Sequence, residues 1–195
     1  MKYRYIFICL FTFLLGCAEK QHKYPRVKII TDHGFITLEL YPDKAPKTVA
    51  AFLSYVDSGY YKNSTFYRVW NDDNQVIDAY KARLIQGGLW RTNRQLSLKL
   101  PGVPHESTKE SGILHTDGVI SLAGAAPGTA TTEFFICIGN QHGFDYGGAN
   151  NPDGQGYASF GKVVDGKDVV RYIYEASEDG EYFNPPIFIT DIVRL

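Results

Sequence analysis

The chain has 195 residues, with 20 Lys and Arg against 21 Asp and Glu for a formal net charge of −1. So balanced a charge argues against a nucleic-acid partner, whose phosphates demand clustered cations. Three cysteines supply neither a disulfide framework nor a metal-ligand spacing, so no metal or cofactor is expected.

The first predicted element is a targeting segment. Lys2 and Arg4 precede an apolar run, Tyr5 to Leu15, too short to span a bilayer comfortably. Its end, Leu14-Leu15-Gly16-Cys17, resembles the bacterial lipobox, in which a cysteine is lipidated and becomes the mature N-terminus. The competing reading is an ordinary secretory signal that happens to contain a cysteine; the small residue before Cys17 favours the lipobox. The expected organisation is a signal peptide over residues 1–16, a lipidated Cys17 with a polar tether over 17–25, and one domain over 26–195. The expected location is the bacterial cell envelope, with the membrane reached through a lipid anchor. Cys9 leaves with the signal, and Cys137, in the apolar stretch "FFICI", reads as a buried thiol. The histidines are scattered singly and read as structural or surface groups.

"RVKIITDHGFITLELY" predicts two strands around Asp32-His33-Gly34, the second alternating Phe35, Thr37 and Glu39 against Ile36, Leu38 and Leu40. A helix follows, with Pro46 in its first turn, Val49, Phe52, Leu53 and Val56 as its apolar stripe, and Gly59 as its stop. Strands are predicted near 64–70, 83–90, 95–100, 118–124, 133–139 and 157–164. A second helix over 165–176 buries Val169, Val170 and Ile173, and a last strand closes the chain. Many strands with a helix near each end of the order predict a closed antiparallel barrel with helical caps. Within "STFYRVW" (64–70), a two-residue period puts Phe66, Arg68 and Trp70 on one face and Tyr67 and Val69 on the other. Arg68 is then a permanent cation in an apolar strand. Taken alone it reads as a snorkelling side chain covering apolar surface.

The segments "GFITLELYPDKAPKTVAAFLSYVDSGYY", "STFYRV", "LIQGG", "GILHTDGVISLAGAAPGTATTEFFICIG" and "ASFGKVVDGKDVV" fall in the order of their counterparts in cyclophilins. The chain resembles that family over roughly residues 26–195. The resemblance implies a mainly β fold, a cyclophilin-like closed eight-stranded antiparallel β-barrel capped by two α-helices. It also implies peptidyl-prolyl cis–trans isomerase activity on proline-containing polypeptides, here exported or envelope proteins, by a monomer. Arg68 matches the family's catalytic arginine, and Gln86 the glutamine that steadies it and touches the substrate backbone. Leu84, Phe135 and Phe144 match walls of the proline pocket, and Phe66 sits where the family also has phenylalanine. Ala123 and Ala125 match small residues beside the substrate backbone.

Departures from the family gather around that pocket. Glu133 stands for a glutamine, Tyr157 for a histidine, Gly124 for an asparagine, Arg83 for a pocket phenylalanine, Gly143 for an aromatic, and Tyr67 for a histidine. Tyr157 still supplies a flat ring with a polar tip to the pocket. Opposite charges introduced together can compensate one another, so Glu133 is expected to pair with Arg83 or Arg68. The stretch 70–82 is longer than the family's connection; it reads as a surface loop, or as an acidic flap through Asp72, Asp73 and Asp78. The departures leave an alternative open: a catalytically weak module that binds proline-containing peptides.

Overall fold

The structure, a computed structural model, describes residues 22–75 and 81–195. The expected signal segment, Cys17, most of the tether and Asp78 lie outside the described residues. Among the described residues no helix is long and apolar enough to cross a membrane.

Strand β1 (Arg26–Thr31) and strand β2 (Gly34–Leu40) form the first hairpin, with Ile29 opposite Ile36. Alternation assigns their faces as expected. Val27, Ile29, Ile36, Leu38 and Leu40 are fully buried, while Phe35 is exposed. Strands β3 (Ser64–Trp70), β4 (Leu84–Gly88), β5 (Val119–Leu122), β6 (Phe134–Cys137), β7 (Ala158–Asp165) and β9 (Tyr182–Arg194) complete the wall. The neighbour order is β1-β2-β7-β5-β6-β4-β3-β9, every pair antiparallel, and β9 pairs back to β1. Eight strands therefore close on themselves and leave no long unpaired edge. The two-residue strand β8 (Glu178–Asp179) adds only a short hairpin to β9.

Helix α1 (Pro46–Asp57) plugs one end of the barrel. Its Phe52 is fully buried and packs on Tyr61, Phe134 and Phe160 at ring-centroid distances of 5.0–6.0 Å. Gly59, at φ +67, follows it as the stop. Helix α4 (Lys167–Tyr174) covers the other end of β2. Val170 and Ile173 are buried there, and the half-buried Val169 presses on Gly34, where an added Cβ would lie 2.9 Å from Cγ2.

The α1 N-terminus has a distant partner. Ala45 offers no side-chain cap, and the buried Glu106 takes its place. Its carboxylate accepts from Lys47 N (3.1 Å), Thr48 N (2.8 Å) and Thr48 Oγ1 (2.7 Å). A negative charge on unpaired amides at the positive end of a helix is favourable twice over.

The strand expected over 95–100 is instead helix α2 (Arg94–Lys99). Leu96, Leu98 and Leu100 mimic a two-residue period. Yet Leu96 and Leu100, four apart, pack on the core while Leu98 is 69% exposed. Asn93 Oδ1 accepts from Leu96 N (3.2 Å) and starts the helix. A further short helix, α3 (Thr108–Ser111), opens with a Ser107/Glu110 capping box and ends on Gly112 at φ +67.

Candidate active site

A β-bulge sets the position of Arg68. Phe66 pairs with Gly87 and Arg68 with Gln86, so three residues of β3 face two of β4 and the strict alternation breaks at Tyr67. The expected face sharing is corrected accordingly. Phe66 and Val69 point into the barrel and are fully buried in its core. Tyr67, Arg68 and Trp70 point outward and line a cleft of about 360 Å³ on the barrel wall. Phe66 is thus a core residue, packed on Phe134 at 5.8 Å, and no wall of the cleft.

Leu84, Gln86, Ala123, Ala125, Glu133, Phe135, Phe144 and Tyr157 do converge on this cleft. Outward positions of β4 and β6 build its floor. Leu84, Phe135, Cys137 and Phe144 form a second apolar cluster outside the barrel, with Ala123, Tyr157 and Trp70 against it. Phe135, Phe144 and Tyr157 meet in tilted and edge-on contacts at 5.2–5.4 Å. Behind Phe135 lies the fully buried His115, stacked at 5.9 Å and 14°. Its Nδ1 is 2.8 Å from Asp145 Oδ1, and its Nε2 is 3.1 Å from Ser121 Oγ. Burial holds its pKa below the usual imidazole value despite the pull of Asp145. His115 therefore serves as a neutral brace for the floor.

The Arg68 guanidinium is not held by Gln86. Its Nε (3.0 Å) and Nη2 (2.7 Å) both donate to Glu181 Oε2, which also accepts from Trp70 Nε1 (2.7 Å). Arg68 Cζ lies 4.9 Å from the Trp70 ring centroid and 5.9 Å from that of Tyr182. Nη1 has no protein partner among the described residues. Gln86 Nε2 donates instead to Tyr67 Oη (2.7 Å). Partial burial pushes the Glu181 carboxyl up, but the bonds from Trp70 and Arg68 outweigh it and hold the pKa below the usual range.

Glu133 pairs with neither Arg68 nor Arg83. Its Oε1 accepts from Leu89 N (2.8 Å), Trp90 N (3.1 Å) and Thr132 Oγ1 (3.1 Å). Gly88, at φ +143, makes room for it, since an added Cβ would sit 2.5–2.7 Å from the carboxylate. Backbone amides thus take the role expected of an arginine. Burial nevertheless raises the Glu133 pKa above the usual range. Arg83 is exposed on the outer surface near Gly139 and does not line the cleft. At Gly143 the place of a side chain is taken by Asn150, whose side chain lies 2.8 Å from where a Cβ would be.

Asn71 and Asn74 fold the described part of the long connection onto Glu178, and none of residues 71–75 lines the cleft. Among the described residues no group of three His, Cys, Asp or Glu is placed to hold a metal. Trp70, Trp90, Tyr182 and Glu181 are site residues that the sequence reading missed. Trp90 follows "LIQGG" closely enough to be found by proximity. Glu181 stands 113 residues from Arg68 and carries no local signal.

A family model described as cyclophilin type peptidyl-prolyl cis-trans isomerase/CLD matches residues 26–194. The chain is 35% identical over 151 residues to peptidyl-prolyl cis-trans isomerase B of Escherichia coli, covering 73% of this chain and 80% of that protein. It is 32% identical over 163 residues to peptidyl-prolyl cis-trans isomerase A of Dickeya dadantii, covering 82% and 77%. Among solved structures, a cyclophilin type isomerase of Cryptosporidium parvum superposes with a TM-score of 0.67 at 25% identity, over 88% of this chain and 98% of the other.

Proposed function

From the premise that this chain belongs to the cyclophilin type peptidyl-prolyl cis-trans isomerases, we propose that it rotates Xaa-Pro bonds in the cleft beside Arg68. One observation carries the reading: a half-bound guanidinium stands on the wall of a cleft whose floor is Leu84, Phe135 and Phe144.

Rotation about an amide is opposed by about 18–20 kcal/mol because nitrogen shares its lone pair with the carbonyl. As the bond twists, the lone pair returns to nitrogen, which becomes a hydrogen-bond acceptor only near the transition state. A cationic N–H donor held beside it binds the twisted form better than either planar isomer, and that difference is the catalysis. The apolar floor receives the proline ring. Arg68 Nη1 supplies the donor, and Glu181 fixes the opposite edge of the guanidinium so that it need not reorganise. The Gln86–Tyr67 pair gives the substrate backbone a polar contact. No nucleophile, metal or proton transfer is needed.

Capture of the Nε–Nη2 edge by Glu181 is also what favours the second reading, a peptide-binding module with weak catalysis. Exchange spectroscopy on a short Xaa-Pro peptide separates the two. The protein should accelerate cis–trans exchange, and Arg68→Ala should remove most of that rate while still binding peptide. Binding without exchange enhancement in either protein would establish the module instead.

The cellular setting belongs to the proposal as well. The lipobox-like end of the apolar leader supports acylation at Cys17, which would hold a monomeric isomerase at the envelope near exported chains whose proline steps are slow. Lipid labelling of the full chain, lost in Cys17→Ser, tests it.

A further inference from the structure

One rim of the cleft is unusually rich in guanidinium groups set on aromatic rings. Trp90 and Tyr182 line the cleft. Arg94 Cζ lies 3.9 Å from the Trp90 ring centroid, and Arg91 Cζ lies 4.9 Å from that of Tyr182. Both arginines are exposed, and neither belongs to an ion pair among the described residues. Two carboxylates beside the cleft are committed elsewhere: Glu181 to Arg68 and Trp70, Glu133 to the Leu89 and Trp90 amides. Arg68 thus has a carboxylate partner, whereas Arg91 and Arg94 have none among the described residues.

We propose that the rim of Trp90, Arg91, Arg94 and Tyr182 is a subsite for an acidic side chain of the substrate peptide, close in sequence to the isomerised proline. The inference rests on the isomerase reading of the adjoining cleft. Stacking on an aromatic face restricts each guanidinium while leaving its N–H edge open, so less freedom is lost when a carboxylate binds. Tyr182 also measures the distance. Arg68 and Arg91 flank its one ring at 5.9 and 4.9 Å, so their Cζ atoms are at most about 11 Å apart, the span of some three extended residues at about 3.3–3.6 Å each. A peptide whose prolyl nitrogen faces Arg68 brings an acidic residue to Arg91 only within about three positions of that proline.

The test uses twin peptides with one Xaa-Pro bond and a single Glu, Gln or Lys at each of three positions on either side. Dissociation constants come from titrations followed by magnetic resonance, and kcat/KM from exchange spectra. At low salt at least one Glu peptide should bind about threefold more tightly than its Gln twin, the scale of a part-exposed ion pair, and the Lys twin should bind worst. The advantage should shrink in about 0.5 M salt. In the double variant Arg91→Gln/Arg94→Gln the Glu-to-Gln ratio should fall to one. Equal binding of twins at every position, failure of every Glu peptide to bind, or a ratio that survives in the double variant overturns the subsite. The binding ratio does not depend on turnover. A Glu preference in binding with no exchange acceleration for any peptide would therefore retain the subsite and reject the isomerase reading.

Discussion

Arg68 is held at one edge and open at the other, and the two edges have different work. Glu181 Oε2 collects three N–H groups from Arg68 and Trp70, so it is a positioning residue that acts through the guanidinium. Glu181→Ala should lower kcat roughly tenfold, in keeping with the steep cost of small misplacements, with KM little changed. Glu181→Gln, which keeps an acceptor, should lose less. A purely structural role would lower apparent kcat only in proportion to the folded fraction, so the tenfold loss should remain after the rate is normalised to folded protein measured by circular dichroism. Because the Glu181 pKa is held down, the hold should persist as pH falls from 8 to 5, and parent kcat should stay flat across that range. Glu133 behaves in the opposite sense. Its raised pKa means the folded state binds the proton more tightly than the unfolded chain does. Parent stability from this group is fully present below the unfolded carboxylate pKa and is lost as pH rises through the folded value. Denaturation of Glu133→Gln beside the parent should therefore show the variant gaining relative stability with rising pH. Arg68, Gln86, Phe135 and Glu133 were legible as site candidates from motif order alone. The Glu181 partnership and the backbone cradle of Glu133 were not, because each joins segments far apart in the chain.

At the scale of elements, periodicity was a sound guide where an amphipathic face meets one layer and misled where the pattern was short. The Val49–Phe52–Leu53–Val56 stripe and the inward Ile36, Leu38 and Leu40 of β2 both carry through to burial. The leucines of α2 fit two periods, and the Asn93 cap decides between them. The bulge in β3 is the same kind of local decision. It turns two consecutive residues, Tyr67 and Arg68, to the cleft and sends Phe66 into the barrel. Helix α1 depends on Glu106, which no local pattern connects to it. Glu106→Ala should destabilise the protein by about 1–3 kcal/mol, the cost of leaving buried amide donors unpaired, with the midpoint of urea unfolding as the measure. Glu106→Gln should recover part of the loss, since it restores an acceptor without the charge.

Over the whole molecule, closure depends on the last strand. β9 pairs with both β1 and β3, so the barrel is complete only when the C-terminal residues are in place. Deleting residues 182–195 should expose two strand edges, β1 and β3, and remove the Tyr182 wall of the cleft. The expected result is an unfolded or aggregated chain by circular dichroism and sedimentation, whereas Leu98→Ala, on an exposed helix face, should leave folding intact. Residue types and their spacing determined the barrel and its two main helical caps, because strand and helix periods are local properties of the chain. The residues that converge on the cleft were found through the order of motifs shared with the family. Which edge of Arg68 is open, which partner holds the other, and where Phe66 points were decided only by the folded molecule. Those depend on a one-residue bulge and on contacts across 113 residues, and side-chain pairing at such separation leaves no periodic trace in a sequence.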